Sequence, residues 1–294
     1  MQNVTHLRHR RSSTAALIGP AIVLYAVFGL VPIGIAVVYS LTSWDGVNRS
    51  IQFIGLDNYA TALGDPEVGR AFLITFVVAG AATVFLNVIA IPLAVLLSRQ
   101  DFVTRLYRTG VFFPLVLSPI VVGFLWQSIL NTNGLLNALL ASMGLKRIAF
   151  LGDPGLAIVS ISFVTIWQAL GFTTILYLAA LRTIPEELHE AAMIDGAGPW
   201  ARFRRVTIPM LAPALTVNVV LLLIIFMRLY EYVLVMTQGG PVGSSQTVAY
   251  LLVINAFERS KYGYGSAIAV IMLLAVGVIA ILLVAMLRRR EHAA

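Results

Sequence analysis

The sequence predicts an all-α membrane protein with six transmembrane helices, and three observations carry that expectation. Charged residues make up only 11% of the 294, and hydrophobic ones 59%, where a soluble domain carries roughly 25% charged. Six mainly apolar windows hold no charge at all: 12–44, 71–98, 109–145, 154–181, 206–227 and 262–287. Each exceeds the roughly 20 residues a helix needs to cross a bilayer. The basic residues are also asymmetric. With a cytoplasmic amino terminus, thirteen of the twenty Lys and Arg fall on inside segments and seven outside, which satisfies the positive-inside rule with both termini cytoplasmic.

The first span is expected over 15–41. It follows Arg8, Arg10 and Arg11, and its apolar stretch is too long for the core of a cleaved signal, so it reads as a retained anchor. The others are expected at 71–97, 110–129, 156–181, 211–235 and 266–287. A seventh charge-free window, 232–257, is interrupted by QGGPVGSSQT and reads as a loop. The outside loops carry turn residues at Trp44 to Gly46, Asn131 to Gly134, Asp153 to Gly155 and Gly239 to Pro241, and are expected to be short caps.

Several chemistries are excluded. The apolar windows do not alternate, which rules out an outer-membrane barrel. With no Cys there is no disulfide, thiolate nucleophile or Cys-ligated metal. Lys146 precedes Arg147 and Lys261 precedes Tyr262, so neither belongs to a phosphate-binding loop. His6, His9, His189 and His292 form no zinc helix. Membrane topology accounts for the net charge of +7, so no nucleic-acid partner is expected.

The most informative stretch runs from Ala180 to Pro213, ALRTIPEELHEAAMIDGAGPWARFRRVTIPMLAP. Thr183 and Glu186 have the spacing of a capping box, and Glu186 and Glu187 favour the positive end of a helix. A short helix should start there and stop at Asp195 and Gly196. Pro199 should open a second one carrying Trp200, Phe203 and the basic cluster. The small residues Ala191, Ala192, Gly196, Ala197 and Gly198 leave a low profile that suits either a docking element or an ordinary interfacial hairpin.

Here a resemblance enters. The segment EAAMIDGAGPWARFRRVTIPMLAP resembles the EAA loop of binding-protein-dependent ABC importer permeases, matching at Glu190, Ala191, Ala192, Asp195, Gly196, Ala197, Phe203, Pro209 and Pro213. FIGLDNYATAL, TNGLLNALLASMGL, YEYVLVMTQGGP and YGYGSAIAV are similar to stretches of the maltose-transporter-like permeases for sugars and glycerol phosphate. The resemblance implies a type I importer fold in a bacterial inner membrane. Residues 1–70 would hold the cytoplasmic amino terminus, the first helix and the first outer loop. Residues 71–287 would form the permease domain with a coupling loop at 182–209, and 288–294 a cytoplasmic tail. It implies as partners a second permease subunit, two ATP-binding cassette subunits that carry ATP and Mg, and an extracytoplasmic solute-binding protein. The chain itself would hydrolyse nothing, and Glu190 to Ala192 with Asp195 to Ala197 would couple it to the ATPase.

The solute is expected to be a sugar, with glycerol 3-phosphate or another small solute as the alternative. A channel or carrier that works without an ATPase is the rival from another class. For the path, Trp167, Gln168 and Phe172 lie midway along the fourth span and resemble the sugar-site positions of the maltose permease, Trp167 in identity and the other two in position only. Helix packing accounts for them equally well. Asn218, Asn87 and Gln127 are the other polar groups in the spans, with a helix-to-helix hydrogen bond as the competing role. Arg228 and Glu231, with Tyr230 between them, would serve as an outer gate, touch the solute or meet the binding protein. The alternative is an interfacial pair reaching to water.

Overall fold

The computed structural model describes residues 19–99 and 101–291, with side chains up to residue 287. The basic run Arg8 to Arg11, residues 15–18 of the expected first span, the side chains of Arg288 to Arg290 and residues 292–294 lie outside the described part. Chain contacts divide the rest into two compact units. The first takes the residues up to Gly64 together with Leu252–Ile271, and the second takes Asp65–Leu251 and the residues from Met272 on.

In the first unit, helix α1 (Gly19–Ser40) buries none of its apolar window among the described residues, as suits a helix whose surroundings are lipid or another subunit. Its end is tied down by a short helix, α2 (Asp57–Gly64). Asn58 Nδ2 donates to the carbonyls of Ser40 and Thr42 at 2.9 and 2.8 Å, and the hydroxyls of Ser40 and Tyr59 lie 2.6 Å apart. Tyr39, Trp44 and Tyr262 form an aromatic cluster, as expected at a membrane boundary. In the loop beside it, the N–H groups of Val47 and Asn48 donate to Asp45 and hold its carboxyl below the usual range.

The second unit is built around two long helices, α3 (Pro66–Leu96) and α7 (Pro154–Leu181). Each starts on an Asp-Pro pair. Asp65 accepts from Glu67 N–H, and Asp153 from Gly155 and Leu156 N–H, while the proline fills the first turn where its missing N–H is not needed. The inner face of α3 is small: Ala71, Ala79, Ala82, Ala90 and Ala94 are all buried. Small residues at helical spacing let neighbouring backbones approach closely.

The third span differs from the straight helix expected over 110–129. It is a pair, α4 (Phe102–Val116) and α5 (Pro119–Leu130), with the stretch Pro119–Ser142 bent by 101° from α4. The cause is local. Ser118 precedes a proline, which pushes it to extended backbone (φ −63°, ψ 136°), and Pro119 has no N–H to continue the ladder. Helix α6 (Leu135–Ser142) then packs under the next loop. There, buried Asn137 donates to the carbonyls of Asn131 and Ile148 and accepts from Ile148 N–H.

The loop at 182–209 holds α8 (Glu186–Ile194) and α9 (Pro199–Arg202), followed by a wider turn at Phe203–Thr207. The expected capping box is not formed. Thr183 Oγ1 donates instead to the Ala180 carbonyl at the end of α7, and the residue that precedes α8 is Pro185. The fifth span, α10 (Ala212–Met227), stops at Arg228 and resumes as α11 (Glu231–Met236). The 232–257 window is not all loop. Its second half is a helix, α12 (Val248–Glu258), because VAYLLVINAF after Thr247 is apolar but for Asn255. The last helix, α13, is Tyr262–Glu291. Among the described residues there are thus five candidate spans, the interrupted fifth among them, or six with the bent pair.

Candidate functional site

The two interrupted helices of the second unit meet at one cavity of about 310 Å³, at the lower end of the roughly 300–1,000 Å³ of ligand pockets. Leu115, Leu117 and Pro119 line it from the α4–α5 break, and Arg228, Leu229, Glu231 and Tyr232 from the α10–α11 break. Between them α7 presents Thr165, Gln168, Ala169 and Phe172, which at i, i+3, i+4 and i+7 share one helix face. Irregular backbone at membrane depth persists only where protein buries it or where it lines a cavity, and broken helices are how transporters expose backbone to a solute.

Side chains reach backbone carbonyls at each break. Gln168 Nε2 donates to the carbonyls of Pro114 and Leu117 at 3.1 and 2.7 Å. Across the other break, Thr247 Oγ1 donates to the Leu229 carbonyl at 2.5 Å. The rest of the lining is mostly aliphatic and aromatic, so its polar groups stand out. Arg228 is exposed and Glu231 half-buried. Among the described residues neither side chain has an ion-pair or hydrogen-bond partner. Ionisable groups inside a membrane are expensive and mark solute pathways when they face a cavity.

Sequence reasoning placed Gln168, Phe172, Arg228 and Glu231 in two separate groups, and the fold brings them to one cavity. Other expected residues lie elsewhere. Trp167 packs edge-on against Trp126 with ring centroids 5.6 Å apart, a helix contact. Tyr230 stacks on Tyr250. Asn218 is fully buried and donates to Asn87 Oδ1 at 2.9 Å. Tyr177 donates to the same oxygen. One acceptor therefore ties α10 and α7 to α3, and the helix-to-helix role holds for Asn87 and Asn218. Gln127 is half-buried on α5, away from the cavity. Thr165 and Tyr232 were missed. The face shared with Gln168 and Phe172 was the available signal for Thr165.

A second feature is the exposed knob at 186–202. No residue of α8 is buried, and Ile194 and Trp200 stand 86% and 71% exposed. Helix α8 ends in a Schellman motif: Ala197 N–H donates to Ala192 O and Gly196 N–H to Met193 O, with Gly196 at φ 77°. That conformation requires glycine or tolerates asparagine. At the root of the knob, Leu181, Ile184 and Leu211 join a core with Ala90, Ala94 and Tyr177, so both ends of the loop are anchored in the helices that carry the buried asparagine cluster.

Broken helices around a membrane cavity and a capped knob between two spans define a membrane transport subunit. Residues 87–292 match the family described as binding-protein-dependent transport system inner membrane component, and the chain belongs to that family, as a multi-pass protein of the inner membrane. It is 32% identical over 278 residues, 93% of each chain, to the probable starch degradation products transport system permease protein AmyD of Thermoanaerobacterium thermosulfurigenes. It is 30% identical to the multiple sugar-binding transport system permease protein MsmF of Streptococcus mutans, over 92% of this chain and 93% of that one. In fold it is similar to a chain of a crystal structure of a bacterial alginate ABC transporter in complex with alginate pentasaccharide-bound periplasmic protein. The TM-score is 0.85 with 23% identity, and 99% of each chain is covered. The fold is that of ABC importer permeases, which are not themselves enzymes.

Proposed function

We propose that this chain is a permease subunit of an ABC importer for a neutral sugar, and that the solute passes through the cavity between the two broken helices. The convergence of both breaks on one cavity carries the reading. The lining supports a sugar. Phe172 and Tyr232 offer faces for the apolar side of a ring, while Gln168, Thr165, Arg228 and Glu231 offer hydrogen bonds to hydroxyls. A phosphorylated solute would want cations in excess, and here one Arg is balanced by one Glu. The sugar systems named for AmyD and MsmF support the same substrate class.

In this reading both termini and the 186–202 knob face the cytoplasm, where the excess of arginines lies. The knob docks on an ATP-binding cassette subunit that carries ATP and Mg. A second permease completes the path, and a solute-binding protein delivers sugar at the opposite face. Glu190, Ala191 and Ala192 with Asp195, Gly196 and Ala197 form the contact with the ATPase.

The test is to purify the tagged chain in mild detergent from its native host, identify what accompanies it and reconstitute the result in proteoliposomes. The expected result is a complex with an ATPase and a second permease that accumulates a sugar only with ATP and binding protein. Solute flux through the chain alone, without ATP, would replace this reading with a channel or carrier.

A further inference from the structure

Gln168 stands apart from the other cavity residues because only one end of its amide is engaged. Its nitrogen donates to the Pro114 and Leu117 carbonyls at the break of the third span, the first of which also accepts the Leu117 N–H. Its side-chain oxygen, Oε1, is buried and has no partner among the described residues, in a residue only 7% exposed that lines the cavity. The amide cannot be turned over, since that would set Oε1 against two carbonyl oxygens. Buried acceptors are nearly always satisfied, so an unpartnered one on a residue that lines a solute-sized space calls for a donor that comes and goes, reached by a small shift of the side chain.

We propose that Gln168 is a positioning residue that links occupancy of the cavity to the bend of the third span, its Oε1 accepting a hydrogen bond from a solute hydroxyl while its Nε2 holds the carbonyls of the break. This rests on the sugar reading above. A donor arriving at Oε1 polarises the amide and strengthens its two N–H bonds, because hydrogen bonds in series reinforce one another. An occupied cavity therefore holds the α4–α5 angle more tightly than an empty one. The same geometry selects for a solute that donates at this point and against one that presents an ether oxygen or a carboxylate.

The chain has no Cys, so with Cys-free partner subunits a spin-label pair can be placed without background at Leu106→Cys on α4 and Phe124→Cys on α5, both exposed. The assembled importer is measured with and without maltose, trehalose and N,N′-diacetylchitobiose. In Gln168→Met, which keeps the length and removes both interactions, the inter-label distances should broaden without sugar, and uptake of a transported sugar should fall tenfold or more. Gln168→Glu keeps the polarity and loses the donors, and should broaden the distances in the same way. Phe172→Leu, a lining change that does not touch the break, should lower uptake without broadening them. For the parent, a transported sugar should narrow the distribution, and Gln168→Met should abolish that narrowing. Distances in Gln168→Met and Gln168→Glu identical to the parent would overturn the proposal, as would equal narrowing by sugar in parent and Met variant. If the parent takes up none of the three sugars yet the sugar-free broadening appears, the sugar reading loses its support while the link between Gln168 and the bend gains it.

Discussion

At the scale of single residues, Asn87 joins three helices through one side chain. Its Oδ1 accepts from Tyr177 and Asn218, 90 and 131 positions away in the chain, and its own amide donates to the Thr83 carbonyl. Asn87→Leu should therefore strand two buried donors, at about 1–3 kcal/mol each in water-based series and less inside a membrane. Thermal unfolding in detergent should show Asn87→Leu clearly destabilised and Tyr177→Phe less so; equal melting of parent and Asn87→Leu would mean the cluster holds nothing. Gly196 is the opposite kind of residue, set in open space and needed for its backbone. Gly196→Asn should preserve both α8 and ATPase coupling. Gly196→Leu, at about 1–2 kcal/mol for the left-handed conformation, should leave the permease in the membrane but lower ATPase-coupled uptake; unchanged uptake would remove the docking role from this turn. Asn87 and Asn218 were legible in the sequence as polar groups within apolar windows. Their shared partner Tyr177 was not, because no sequence spacing relates helices so far apart.

Among the elements, the spans were legible wherever charge is absent over more than a bilayer's thickness, and their starts wherever Asp precedes Pro. The break in the third span was missed although Pro114 and Pro119 stand in plain view, because the window was judged by its apolar length alone. Helix α12 was missed for the converse reason, the glycines and Pro241 having been taken to characterise the whole window. The contact between α7 and α4 shows how close these helices come: a Cβ on Gly171 would lie 2.7 Å from the Val111 carbonyl oxygen. Gly171→Leu is expected to cost about 1–3 kcal/mol by overpacking and to lower the melting temperature of the purified permease; a parent-like melting curve would show that the two helices can separate without loss. The start of α4 should respond to pH. The backbone and side chain of Thr104, and then Arg99, hold the Asp101 carboxyl below its ordinary value. Its contribution is thus present above the ordinary carboxylate range and is lost as pH falls through the lowered value. Protection of the Thr104 amide, taken against its intrinsic exchange rate at each pH, should fall only at that acid end, and Asp101→Asn, still a capping residue, should remove the pH dependence.

On the scale of the whole molecule, the candidate site was half legible. Gln168 and Phe172 on one side, and Arg228 and Glu231 on the other, were each found in the sequence, but that they share a cavity follows only from two breaks meeting. The charge balance of that cavity sets an expectation for the assembled importer. Glu231→Gln leaves Arg228 uncompensated and should shift uptake toward anionic sugars such as uronates, whereas Arg228→Gln should depress uptake of any anion. Identical selectivity in both variants, read from competition for uptake of a neutral sugar, would place the pair outside the path. The 101° corner in the third span also gives the molecule leverage. Helix α5 has 12 residues, an arm of about 18 Å at about 1.5 Å per residue. Turning that arm about Pro119 by about 10° swings Leu130 through about 3 Å, roughly two residues of helical rise. A displacement too small to notice at the pivot thus reaches the surface loop beyond Asn131 magnified, and an event inside the membrane becomes visible at its edge.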